Sequence, residues 1–473
     1  MSEVLSDVIL ARPFAWRAKN PDLRVPGFPI VRDSFYNRAE LTQYRERRRL
    51  ASDGRACYPG LGPRNWKGDP IVQGPLSGFR VVEVGMWVAG PSCAAVLGDW
   101  GADVIKLEDP GAGDPMRGAT TRATYNANLR VRPAFELDNR NKRSVAVDLR
   151  NAEGREFALK IIDQADVFIT NLRLDALERM GMAYPALSAR NPRLVYASLN
   201  GYGHRGPDRN RPAFDYAAAW ARSGLMATVT EPGNPPPAQR PGMIDHAAGL
   251  GLAGAISAAL LAREKSGRGQ EVRISLLSMG LWMNATDLTV AMIAGQAPQP
   301  ESRKERVNPL WNSYQCKDGK WIYFVMLQAD RHLGDFSAAL GRPQWPKDPR
   351  FIDFQARLRH SREITRLIEE VIVTRTLEEW APIFDRHGLF WAPVQSNEEV
   401  LNDPQVGAIG ALARVEHAEI PDCRIVKSPV EFSATEATFS AAPDLGQHTE
   451  EVAREVGVSW EEIARLKEIG AIG

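Results

Sequence analysis

Residues 80–107 hold the pattern that most narrows the fold. Arg80–Val84 (RVVEV) is a β-branched run and reads as a buried strand. A loop bounded by Gly85 and Gly90 follows, and Pro91 sits where a first-turn helical proline belongs. Ser92–Trp100 reads as a helix stopped by Gly101, and Asp103–Leu107 (DVIKL) as the next strand. This is a strand–helix–strand unit of an α/β domain. The alternation continues with strands at Ser144–Leu149, Val167–Thr170, Leu194–Leu199 and Glu271–Leu276. Between them lie a helix at Ala152–Gln164, a helical turn at Ala176–Met180 and an Ala/Gly/Leu-rich helix at Ala247–Arg263.

After Leu276 the texture changes. Leu277–Ala294 reads as one apolar helix and 295–307 as a polar linker. Asp318-Gly319 marks a hairpin within Tyr314–Phe324, and helices are expected at 329–340, 361–373 and 377–386. Ser459 has the spacing of a helix cap with Glu462. The expected organisation is an N-terminal extension at 1–75, a large domain at 76–276 and a linker at 277–306. A small domain at 307–400 and a C-terminal segment at 401–473 complete it. The extension carries Pro13, Pro21, Pro26, Pro29, Pro59, Pro63 and Pro70 and the basic run Arg45–Arg49. With a short helix near Glu40–Leu50, it reads either as an arm packed on another surface or as a solvated tail.

Composition removes several function classes. The chain has 473 residues with 59 basic and 58 acidic side chains, a balance unlike that of a nucleic-acid binder. No apolar run approaches the ~20 residues that span a bilayer, and the N-terminus has no signal-peptide pattern, so no membrane association is expected. Cys57, Cys93, Cys316 and Cys423 lie far apart without a CxxC pair, which fits free thiols in a reducing cytoplasm. The seven histidines form no metal-type cluster, so no metal is expected. Gly85 and Gly90 have Walker-like spacing, but Pro91 stands where the phosphate-binding lysine is required. GxGxxG and GxSxG are absent, which disfavours dinucleotide redox chemistry and the α/β-hydrolases.

A set of phrases in fixed order resembles the class III CoA-transferases, the formyl-CoA/carnitine CoA-transferase group that includes α-methylacyl-CoA racemase. They are Val88–Pro91 (VAGP), Gly101–Glu108 (GADVIKLE), Gly113–Arg117 (GDPMR), Asn141–Ser144 (NKRS), Asp148–Arg150 (DLR) and Ala165–Asn171 (ADVFITN). Leu177–Gly181 (LERMG), Asn191–Leu194 (NPRL), Gly201–Gly203 (GYG), Gly267–Gln270 (GRGQ) and Leu445–Thr449 (LGQHT) follow. The resemblance covers about residues 76–473. It implies an α/β fold with a Rossmann-like large domain completed by the C-terminal segment, a smaller α+β domain, and an interlocked, ring-like homodimer. It also implies coenzyme A or acyl-CoA and a carboxylic acid as substrates, with no tightly bound cofactor.

The family's nucleophilic aspartate falls on Asp245, in Gly242–Gly249 (GMIDHAAG). Aspartate also favours helix N-caps, so Asp245 reads as a cap as well. The resemblance implies attack of this carboxylate on an acyl-CoA thioester, giving a mixed anhydride and later an aspartyl-CoA thioester. A helix N-terminus there would supply N–H groups to an oxyanion and keep the aspartate ionised. By the same match, CoA would lie against Val88, Arg150, Asn171, Leu172, Arg179 and Met180, with Lys142 and Arg143 as further cations. The plainer reading of each Arg or Lys is a surface salt bridge. Oxalate-utilising relatives carry Arg after the Lys-x-Glu phrase, and here the residue is Asp109. Where formyl-CoA transferases have a shielding glycine loop, this chain has Asn308–Tyr314 (NPLWNSY). Trp87, Phe214, Asp215, Tyr216 and Trp311, with Trp220 nearby, imply a pocket for an apolar or aromatic acid, although each aromatic could equally be core.

Three other functions stay open in the sequence, one of them a CoA-ester lyase, for which no base stands out. A racemase or epimerase has His before Asp where this chain has Phe214-Asp215, so one proton carrier is missing. His246 adjoins Asp245, but neighbouring helical residues point about 100° apart. A heteromeric transferase would pair this chain with a related subunit.

Overall fold

The computed structural model describes residues 74–118 and 132–473, all within a unit spanning Ile71–Gly473. The expected arm, its short helix and its arginine run lie outside the described residues.

Six strands form one parallel sheet: β1 (Arg80–Val84), β2 (Asp103–Glu108), β3 (Lys142–Ala146), β4 (Val167–Thr170), β5 (Val195–Asn200) and β6 (Glu271–Ser275), in the order β3-β2-β1-β4-β5-β6. The inner strands β1, β4 and β5 are buried along nearly their whole length because both faces are covered, whereas the edge strand β6 (EVRIS) is only partly buried. Alternate side chains point to opposite sides. Val81, Val104, Val167 and Val195 join one core, with helix α1 (Ala89–Asp99) and the long helix Met243–Ser266. Val82, Ile105, Phe168 and Tyr196 join the other, with helix Ala152–Asp163 and two helices at Thr449–Glu455 and Trp460–Glu468. The C-terminal segment also extends the β3 edge, where Val147 bridges Ile472 and Gly473 N–H donates to the Ala146 carbonyl at 3.0 Å.

All eleven residues of α1 are buried, and the helix Met243–Ser266, here α2, crosses it closely. A Cβ on Gly249 would stand 2.2 Å from Ser92 Oγ and 3.0 Å from the Cys93 nitrogen, so only glycine permits this approach. α2 corrects one expectation from sequence. It has 24 residues, and an 18-residue stretch of it has a mean hydropathy of 1.5, long and apolar enough to cross a bilayer by composition. Its alanines, glycines and leucines pack instead against the sheet and α1, as a core helix does.

A second correction concerns Leu277–Ala294. The segment is two helices, Leu276–Met283 and Ala285–Ala294, bent by 71° at Asn284. Asn284 is buried, and its side-chain amide donates to the Ser223 carbonyl at 3.2 Å, a bond that interrupts the helix. Further along, Ser313–Gln315, Trp321–Phe324 and Trp391–Val394 make an antiparallel three-stranded sheet. Gly319 turns its first hairpin with a φ of +80°. Helices Ala329–Ala339, Ser361–Ile372 and Leu377–Arg386 cover it around Tyr314, Phe324, Phe336, Trp380 and Phe384. Ser459 caps the final helix by accepting from the Glu462 N–H.

Candidate active site

The strand order reverses between β1 and β4, where doubly wound sheets open a crevice at their carboxyl ends. The loop after β1 crosses this crevice in an unusual shape, because Trp87 has a φ of +67°. Asn171, after β4, holds the loop from one side. Its Oδ1 accepts from the Met86 N–H at 3.0 Å, and its Nδ2 donates to the Met86 carbonyl at 2.7 Å. Asp114 accepts from the Trp87 N–H at 3.1 Å. Together these bonds fix a backbone shape that a tryptophan rarely takes.

Beneath the loop lies a fully buried ionic group. Glu83 and Lys106 stand opposite each other on β1 and β2. Lys106 Nζ reaches Glu83 at 2.7 Å, Asp114 at 2.9 Å and the Gly85 carbonyl at 3.0 Å. Lys142 Nζ reaches the other Glu83 oxygen at 2.7 Å, and the Pro91 carbonyl and Asn139 at 2.9 Å each. Burial opposes charge on Glu83, but the two ammonium groups override it and hold its carboxyl below the usual range. Burial brings Lys142 down to about 8 against the pull of Glu83.

α2 delivers Asp245 from the other side. Gly242, with a φ of +75°, is its N-cap, and Asp245 is the third helical residue. The cap reading is therefore corrected: a glycine in the left-handed region makes the entry. Asp245 is 9% exposed. Its carboxyl is pushed up to about 7, first by burial and then by the Asp215 carboxylate, with the neighbouring His246 pulling the other way. This differs from the expectation that the helix end keeps it ionised: burial and the Asp215 carboxylate raise its carboxyl. Asp215 is itself buried and accepts from the Ile244 N–H at 3.4 Å, and burial raises its carboxyl too.

Asp245 opens onto a cavity of about 420 Å³ lined by Trp87, Val88, Asn171, Leu172, Ala213, Phe214 and Leu276. The Trp87 and Phe214 rings meet edge to face at 5.4 Å. A smaller cleft of about 180 Å³ shares Met86 and Leu172 with this cavity and runs past Asp109, Asp148 and Arg150.

The sequence pattern of the family described as CoA-transferase family III matches residues 76–449. The chain belongs to this family. It is 35% identical to the (R)-2-hydroxy-4-methylpentanoate CoA-transferase of Clostridioides difficile, over 83% of this chain and 98% of that one. It is 31% identical to the cinnamoyl-CoA:phenyllactate CoA-transferase of Clostridium sporogenes, over 83% and 96%. A CAIB/BAIF family protein from Brucella suis superposes with a TM-score of 0.72 at 29% identity, over 81% of this chain and 100% of that one.

In this CoA-transferase, six of the residues singled out from sequence line a single cavity: Asp245, Trp87, Val88, Asn171, Leu172 and Phe214. Arg150 lies in the adjoining cleft, ion-paired at 2.9 Å to both Asp109 and Asp148. Two cations are corrected. Lys142 is fully buried and committed to Glu83, so it braces the loop from below and presents nothing to a ligand. Arg143 is bonded to Asp103, Glu451 and Glu455, and ties β3 to β2 and to the helix Thr449–Glu455. Arg179 is exposed and pairs with Asp175 at 3.1 Å, while Met180 packs against the core. Neither lines the cavity. Tyr216 is exposed, and Trp311 lies beneath the Arg306 guanidinium, also outside the cavity lining.

Sequence reading missed the group around Glu83 and Lys106. Its signal was a charged residue in each of two central strands, which buried strands hold only as a pair.

Proposed function

We propose that this CoA-transferase moves CoA from an acyl-CoA to an apolar or aromatic carboxylic acid with Asp245 as the covalent nucleophile. The ionised Asp245 attacks the thioester carbonyl and expels CoA thiolate, leaving an acyl-aspartyl anhydride. The thiolate attacks the aspartyl carbonyl of the anhydride, which releases the donor acid and leaves an aspartyl-CoA thioester. The acceptor carboxylate attacks this thioester, giving a second anhydride and free thiolate. Attack of the thiolate on the acceptor acyl carbonyl forms the new CoA ester and restores Asp245. Every bond broken is matched by one formed, and no external oxidant or reductant enters.

The single observation that carries the reading is the place of Asp245: in the first turn of α2, nearly buried, and facing a cavity walled by Trp87 and Phe214. An apolar wall favours a branched or aryl acid over a small dicarboxylate, and two relatives named for such acids support this. Val88, Asn171, Leu172 and Arg150 are the proposed CoA contacts, and an interlocked homodimer the proposed assembly.

Trapping tests the reading. The protein is incubated with a panel of acyl-CoA donors, treated with hydroxylamine or borohydride, and digested for mass spectrometry. Modification at Asp245, absent from Asp245→Ala, is the expected result. Turnover without any adduct at Asp245 would sink it.

A further inference from the structure

His246 follows Asp245 directly, and no step above uses it. Its Nε2 lies 2.9 Å from Asp138 Oδ1, on the helix Pro133–Asn139. Asp138 is 2% exposed, and its Oδ2 has no hydrogen-bond partner among the described residues. A carboxylate so deeply buried needs a positive partner to stay charged. The imidazole's other edge lies beside Gly242, close to Val88 of the cavity-lining loop. A Cβ on Gly242 would stand 3.3 Å from His246 Cε1, 3.4 Å from Nδ1 and 3.4 Å from Val88 Cγ1. The glycine that starts α2 thus leaves room for the ring, which lies between a buried carboxylate and the cavity-lining loop with 43% of its side chain open to solvent.

Resting on the reading of Asp245 as nucleophile, we propose that the Asp138–His246 pair is a positioning device that places a positive charge beside Asp245 and holds it ionised for attack. Among the described residues, Asp245 faces the carboxylates of Asp215 and Asp138, and His246 is its favourable neighbour. His246 faces Asp138 and Asp245, with Arg140 opposing. Arg140 is committed to Asp99 at 2.6 Å. Burial draws the His246 ring down, but its bond to Asp138 and the two carboxylates carry it above the usual histidine value. The ring thus holds its proton more tightly than an ordinary histidine, next to a carboxyl whose midpoint is raised to about 7. The pair is local in sequence on one side only: Asp138 comes from a different helix, so its effect on Asp245 depends on the fold.

The test reads Asp245 directly, without a substrate. Protein labelled with ¹³C at the aspartate γ-carboxyl is titrated by NMR, with the Asp245 signal assigned through Asp245→Asn. His246→Gln is expected to raise the Asp245 midpoint by about one pH unit, a tenfold loss of the ionised fraction below it. His246→Lys, which keeps the cation, is expected to restore it. Asp138→Asn is expected to lower the midpoint of the His246 ring. An Asp245 midpoint equal in wild type, His246→Gln and His246→Lys overturns the proposal, as does a His246 ring indifferent to Asp138→Asn. The two readings fail separately. A shifted midpoint without any trapped adduct discards the nucleophile, whereas an adduct with an unshifted midpoint discards the pair.

Discussion

Replacing the nucleophile should make the protein more stable, and by an amount that depends on pH. Asp245 titrates at about 7 in the native protein against an ordinary value of 3.8. A carboxyl raised on folding contributes its full share of stability below the lower value. That share is lost as pH rises through the higher one. By linkage the loss is about 1.7 kcal/mol by pH 5 and about 4.3 kcal/mol by pH 8, taking 3.8 for the unfolded chain and about 7 for the native state. Asn at this position does not titrate, and every other group is shared between the two proteins. The stability of Asp245→Asn relative to wild type should therefore improve by about 2.6 kcal/mol between pH 5 and pH 8. Urea unfolding followed by tryptophan fluorescence, at both pH values and equal protein concentration, measures this difference. A gap that stays constant within about 0.5 kcal/mol would refute the claim that Asp245 is held in an environment hostile to its charge.

Other perturbations test the scaffold and the pocket. Gly249→Ala forces a methyl group into Ser92 and Cys93, and should destabilise by about 2 kcal/mol or more, read as a lower urea midpoint. Lys106→Met leaves Asp114 without its lysine and Glu83 with only Lys142. A loss of about 3 kcal/mol is expected in the same assay, and an unchanged midpoint would contradict the buried network. Trp87→Ala removes one wall of the cavity. It should lower kcat/KM for a branched 2-hydroxy acid by about tenfold relative to succinate, and equal losses for both acids would argue against an acyl-selecting role.

The sheet was legible because β1, β2 and β4 hold β-branched runs and the other strands, though less β-branched, alternate with helices in the order an α/β sheet requires. Helix ends were less so. Reading α2 from Ala247 placed Asp245 before the helix, whereas the left-handed Gly242 starts it a turn earlier and puts Asp245 inside. The break at Asn284 was invisible because its cause is a bond to Ser223, a residue distant in sequence. The same reason explains Lys142 and Arg143. A basic pair beside a strand looks like a phosphate clamp until the strand's neighbours supply Glu83 and Glu455. Of the ordered phrases, those carrying Val88, Asn171 and Gly201 reach the cavity because their loops meet at the switch point, whereas Arg179 and Met180 do not line it. The charge state of Asp245 depends on burial and on Asp215 and Asp138, and no spacing encodes that.

The two helices at Thr449–Glu455 and Trp460–Glu468 have a consequence for how the chain is made. Val452, Ile463 and Leu466 complete the core that Val82, Ile105 and Phe168 begin. Synthesis runs from the N-terminus, so one face of the sheet lacks part of its cover until those late residues leave the ribosome. A nascent chain therefore carries an apolar sheet face through most of its own translation. Closing it spans several hundred residues of intervening chain, a slow step for a fold with such non-local contacts. Chains truncated before residue 449 should be captured by chaperones or aggregate, even though they contain every residue that lines the cavity.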